Sequence, residues 1–135
     1  MSQQNVEIVM RLNSMFNEGD VDGAFDLVHP DVLFRDLQNA PDLPETVGGR
    51  DSVRLVLAEW VSAYDDFTAE ALEFVDAGPW VLADVRWRGE GKGSGLRIDV
   101  RMVDALRVDD GRVVEWVVGY PDVATALKAV TPSTE

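Results

Sequence analysis

The sequence predicts an α+β fold in which a curved antiparallel sheet forms a cone-like half-barrel over N-terminal helices and encloses a pocket. Three observations carry this. Apolar residues recur at helical spacing over 5–17 and 50–64. From residue 67 onward, strand-like alternation takes over, at about 67–76, 80–88, 96–108 and 112–120. The connections between those stretches are short and glycine-rich, so consecutive strands pair antiparallel. Helices grouped ahead of the strands imply cover for one sheet face. A strongly bent sheet wrapped against helices leaves a cavity, where pockets form.

Each element has its own signal. Ile8, Leu12, Met15 and Phe16 set the face of the first helix. Asn17-Glu18-Gly19-Asp20 punctuates, with Gly19 suited to a C-cap and Asp20 to an N-cap. Val21, Ala24, Phe25 and Val28 share one face of a short second helix, which His29-Pro30-Asp31 ends. Val32 to Leu37 reads as a strand with Val32, Phe34 and Asp36 on one face. Residues 38–48, with Pro41, Pro44 and Gly48, read as a loop. Val53, Val56, Leu57, Trp60, Val61 and Tyr64 form the stripe of the longest helix. Gly89 to Gly95 joins two strands, Asp109-Asp110-Gly111 is a tight turn, and a last helix follows Pro121 to about Val130. One domain over 1–130 is expected, with a frayed tail at 131–135.

Composition narrows the function. The chain has 135 residues, enough for a sizeable core, and a net charge of −13 that repels phosphate backbones and anionic membranes. Neither a nucleic acid nor a membrane is expected as partner. No cysteine and a single histidine leave no thiolate or histidine-rich metal site, and no metal or other cofactor is expected. The first residues lack a basic region and an apolar signal core, so a cytoplasmic location is expected. A homodimer through the outer sheet face is also expected. Val81, Ala83, Val85 and Trp87, with Val103 and Ala105, put apolar residues on more than one strand face.

The candidate chemistry centres on Asp104. It shares a strand face with Leu96, Ile98, Val100, Met102, Leu106 and Val108, all apolar. A lone acid there is costly unless it is protonated, paired or hydrogen-bonded. Either it works in a pocket, or it pairs with an arginine such as Arg86 or Arg101. Asp36 poses the same question, its alternative being a strand-end cap on the following loop. Phe16, Phe34, Trp60, Tyr64, Met102, Trp116 and Tyr120 are the candidate ligand-binding residues, or else ordinary core. His29 fits a helix C-cap better than a proton shuttle. Gly89 to Gly95 lacks the ending of a phosphate loop and fits a hairpin turn.

Asn17 to Ala24 and His29 to Asp36 resemble the opening of SnoaL-like proteins, members of the nuclear transport factor 2-like superfamily. Gly48-Gly49-Arg50-Asp51-Ser52-Val53, Arg88 to Gly95 and Asp110-Gly111-Arg112-Val113-Val114 are similar to later parts of that family. The resemblance spans about residues 5–130. It implies the cone-like fold and, for activity, proton-transfer chemistry of the isomerase, cyclase or dehydratase type on a small apolar carbonyl-bearing or polycyclic molecule. It is also compatible with a non-catalytic ligand-binding domain. Alignment with ketosteroid isomerase places that enzyme's general base at Asp36, its protonated hydrogen-bond donor at Asp104 and its oxyanion tyrosine at Leu12, which cannot donate. Limonene epoxide hydrolase would place an acid near Val118, with Asp84 and Arg86 imitating the rest of its set out of register.

Overall fold

The computed structural model describes residues 2–37 and 46–131. Along the chain come α1 (Ser2–Asn17), α2 (Val21–Phe25), β1 (Val28–Asp36), β2 (Thr46–Gly48), α3 (Arg50–Ser62) and β3 (Tyr64–Ala77). Then follow β4 (Trp80–Gly91), β5 (Arg97–Asp109), β6 (Arg112–Tyr120) and α4 (Val123–Val130). The strands form one curved, unclosed sheet in the order β2-β1-β6-β5-β4-β3, so the α+β class stands as the sequence predicts. No helix among the described residues is long and apolar enough to cross a membrane. Of the loop expected over 38–48, residues 38–45 lie outside the described residues, and 46–48 pair with β1 as an edge strand. The tail expected at 131–135 likewise lies outside them, apart from Thr131.

The Asn17-Glu18-Gly19-Asp20 run has a physical role at each end. Gly19 takes a positive φ of 83°. Its N–H bonds the Phe16 carbonyl and that of Asp20 bonds Met15, closing α1 in a Schellman motif. The Asp20 carboxylate then accepts from the Gly23 N–H at 3.0 Å and caps α2. Asn17 faces the sheet. Its Nδ2 donates to the Ala69 carbonyl at 2.7 Å and its Oδ1 accepts from the Ala69 N–H at 3.0 Å. Asn13 adds a second donor to the same carbonyl. β3 is an edge strand, and these side chains satisfy its outward backbone where another chain could otherwise pair. Replacing Asn17 with Ala leaves a part-buried N–H without its acceptor. We expect a loss of about 1–2 kcal/mol in urea unfolding. Asn17→Asp should recover only part of it, since a carboxylate accepts but cannot donate.

Three expectations are corrected here. His29 and Pro30 do not end a helix. α2 stops at Phe25, and the fully buried Val28 already pairs with Val113 of β6. Pro30, which has no N–H to give, sits in the irregular stretch between the paired residues Val28 and Leu33. His29 Nδ1 accepts from the Asp31 N–H at 2.9 Å instead of capping a helix. The sheet is also not wholly antiparallel, since β1 runs parallel to its neighbour β6. Finally, α3 ends at Ser62 and Tyr64 opens β3. The Lys92 N–H takes the Ala63 carbonyl and Tyr64 pairs with Gly91, which draws the chain into the sheet before another helical turn. Gly89 permits this close approach, because a Cβ there would lie 2.9 Å from the Tyr64 Cβ.

The core has two parts on opposite faces of the sheet. On the inner face, Val9 and Leu12 of α1, Phe25 of α2 and Val53 and Leu57 of α3 pack on Val32, Phe34, Val85, Leu106 and Trp116, among others. On the outer face, Leu82, Val103, Ala105 and Val117 pack against Ala126 of α4. Asp122 caps α4 by accepting from the Thr125 N–H at 2.7 Å. Helices therefore pack on both faces: α4 lies against Val103 and Ala105, and Val81, Ala83, Val85 and Trp87 belong to the inner core.

Candidate functional site

The site is a row on the inner face of β5. Ile98, Val100 and Met102 line a cavity of about 530 Å³ together with Asp36, Glu59, Trp60, Ala63, Tyr64, Phe67 and Trp87. Asp104 and Leu106, the next inward positions, line a second and much smaller void of about 40 Å³. Val9, Leu12, Asn13, Phe16, Ala69, Ala83, Val85, Trp87 and Trp116 complete that one. Two residues along a strand advance about 7 Å. The voids therefore follow one another along β5, and Trp87 lines both.

The walls of the larger cavity are aromatic and interlocked. Trp87 meets Phe67 edge-on at 5.4 Å between centroids and Trp60 at 6.1 Å. Tyr64 stacks on Phe67 at 6.1 Å, and Phe16 meets Phe67 edge-on from behind. Phe34, fully buried, holds Trp60 on one side and Trp116 on the other, each at 5.8 Å. Such rings present flat apolar surfaces that suit a planar ligand.

Asp104 is 5% exposed. Its Oδ2 accepts from the indole N–H of Trp116 over a long 3.4 Å, and its Oδ1 has no hydrogen-bond partner among the described residues. Burial pushes its pKa up to about 8, partly offset by the Trp116 bond, with the nearby charge of Asp36 adding to the rise. The environment of the carboxyl thus favours the protonated acid. The arginines weighed as partners lie on the other face. Arg101 pairs with Asp84 at 2.6 Å and Arg86 with Asp99 at 2.6 Å, within a set of outer-face pairs that also joins Arg88 to Glu70 and Arg107 to Glu115. Asp84 and Arg86 are thus spoken for outside the pocket and form no catalytic set with the inner face. Among the described residues, no group of three or more His, Asp or Glu is arranged to hold a metal ion.

Of the residues singled out from sequence, Asp36, Trp60, Tyr64 and Met102 line the larger cavity. Phe16, Asp104 and Trp116 line the smaller, with Phe34 packed behind. Asp36 and Asp104 are both on the inner face, but they line different voids. Tyr120 is a correction. Ala105 pairs with Val117 while Val103 pairs with Tyr120, so β6 carries one extra residue between them. This bulge, with Gly119 at φ 104°, turns Tyr120 onto the outer face against the α4 cluster, where burial raises its pKa. Sequence reasoning missed Phe67 and the inward aim of Trp87. The signal for Trp87 was present: its strand neighbours Arg86 and Arg88, on the opposite face, carry charge that belongs in water.

A family model described as a SnoaL-like domain matches residues 9–116. A search of curated proteins gives no match. Among solved structures, Bal32a from a soil-derived mobile gene cassette is 20% identical with a TM-score of 0.79, over 94% of this chain and 96% of that one. TerC co-crystallised with polyporic acid is 19% identical with a TM-score of 0.73, over 90% and 94%. A protein of ketosteroid isomerase-like fold from Catenulispora acidiphila, in complex with trimethylamine, is 18% identical with a TM-score of 0.72, over 93% and 94%. At these identities the likeness establishes the fold.

Proposed function

The chain belongs to the SnoaL-like domain family, and on that footing we propose a cofactor-independent proton-transfer enzyme acting on a small, flat, carbonyl-bearing molecule. The observation that carries this reading is Asp104: a buried carboxyl with no cationic partner among the described residues, one strand step beyond an aromatic cavity that holds a second carboxyl group. Neighbours of the same fold crystallised with polyporic acid and with trimethylamine support a small-molecule pocket. In this reading the Asp36 carboxylate takes a proton from the carbon beside the substrate carbonyl. The C–H electron pair moves toward the carbonyl carbon and leaves negative charge on the oxygen. Asp104 donates a hydrogen bond to that oxygen, in a site from which Trp60, Phe67 and Trp87 exclude water. Return of the proton to the same or a conjugated carbon gives exchange or isomerisation.

One observation favours a second reading, a non-catalytic binder with the same pocket: the two acids line separate voids. Exchange of carbon-bound protons in D2O separates the two, with 2-tetralone and related bicyclic ketones as probes. The enzyme reading expects acceleration by the wild type and a fall of about 10²- to 10⁴-fold in Asp36→Asn. Binding of those ketones with no acceleration over buffer would replace it with the binder.

A further inference from the structure

Trp87 and Asp104, which line the smaller void, each carry a buried polar atom without a partner among the described residues. Asp104 Oδ1 and Trp87 Nε1 are both fully shielded from solvent, and neither has a hydrogen-bond partner among the described residues. Their residues are 5% and 8% exposed and line the same void. Leaving a buried donor or acceptor unsatisfied is costly, so each of these atoms calls for a partner from outside the described residues.

The chemistry of the two atoms fixes what fits between them. An indole N–H only donates. On Asp104, Oδ2 already accepts from Trp116, which leaves the carboxyl proton to Oδ1. Both donors belong to residues that line a void of about 40 Å³, room for a few atoms and not for a ring. The ring-sized space lies one strand step outward, against Ile98, Val100 and Met102.

We propose that Trp87 Nε1 and Asp104 Oδ1 together hold one ligand oxygen, a carbonyl, enolate or phenolate oxygen at the edge of a flat body that rests in the larger cavity. This assigns to Trp87 a polar role that its place in the aromatic wall conceals. It also supplies the second donor that Leu12, an apolar lining residue, cannot provide. The site rests on the proton-transfer reading for the role of Asp104, and it adds the recognition of the substrate oxygen. Because the pair supplies donors and no acceptor, it selects ligands that present a bare or ionised oxygen and rejects shape-matched hydrocarbons. Met102, flexible, is the last β5 residue to line the larger cavity before Asp104.

The test uses 2-tetralone and tetralin, which match in shape and differ in the carbonyl oxygen, titrated into the 15N-labelled chain. Trp87 is one of four tryptophans, so its indole signal is identified by its loss in Trp87→Phe. The proposal expects 2-tetralone, and not the hydrocarbon, to shift that indole proton downfield. It expects the wild type to prefer 2-tetralone about three- to tenfold, with Trp87→Phe removing most of the preference. An unchanged preference in Trp87→Phe would overturn it. So would an indole signal that responds equally to both ligands, the behaviour of a bridging water that no ligand displaces. If Trp87→Phe does not fold, the Trp87 indole is assigned by elimination from Trp60→Phe, Trp80→Phe and Trp116→Phe, and its shift in the wild type decides. Loss of the preference in Asp104→Asn alone would sink the two-donor site and leave the proton-transfer reading intact. Failure of the wild type to bind either compound would overturn both.

Discussion

Asp104→Asn is expected to stabilise the protein, by about 4 kcal/mol at pH 7 and by more at pH 8. The sign follows from proton linkage. Burial raises the folded-state pKa of Asp104 to about 8, well above the ordinary carboxyl value of 3.8. Between those values the native chain carries one proton more than the unfolded chain, so stability falls as pH rises through that window. Below about pH 4 both states are protonated, and above about 8 both are ionised, so the slope disappears at each end. Asparagine removes this contribution to the slope. Its carbonyl can still accept from Trp116 and its amide can still donate into the small void. Melts of both chains at pH 4.5, 7 and 8.5 should therefore diverge with rising pH. A buried ion pair would give the reverse, a loss of several kcal/mol on substitution, because a cation would be stranded.

Phe34→Ala is expected to cost about 3–5 kcal/mol, a large share of the stability of an ordinary domain. Phe34 is 1% exposed and is the packing partner of both Trp60 and Trp116. Its removal opens a cavity behind the pocket wall and frees the indole that holds Asp104 Oδ2. Phe34→Leu keeps most of the volume and should cost under half as much. Urea unfolding checks both. Equal, small losses would mean that the aromatic wall stands without its buried support.

The inner-face placement of Asp104 was legible because β5 alternates without a break from Ile98 to Val108 over a long run of pairs with β4. Gly19, Asp20 and Gly111 were legible too, since a positive φ or a cap restricts residue choice locally. What escaped was set by tertiary pairing. The flip of Tyr120 comes from a single extra residue in β6, and period-two counting carries straight through it. The parallel pairing of β1 with β6 joins residues some 80 positions apart and leaves no local mark. Tyr64 continues a helical stripe in sequence, yet a backbone bond from Lys92 ends the helix before it. The partition between the voids of Asp36 and Asp104 depends on where one side chain, Trp87, comes to rest.

The central claim is that a neutral carboxyl stands at the deep end of an aromatic pocket, and its titration tests this most directly. In the chain labelled with 13C at the aspartate carboxyl carbons, the signal lost in Asp104→Asn identifies the residue. We predict that this signal stays at the shift of a protonated acid through pH 7 and titrates with a midpoint near 8. A midpoint in the ordinary carboxylate range, near 4, would show Asp104 to be ionised in the folded chain and would contradict the account.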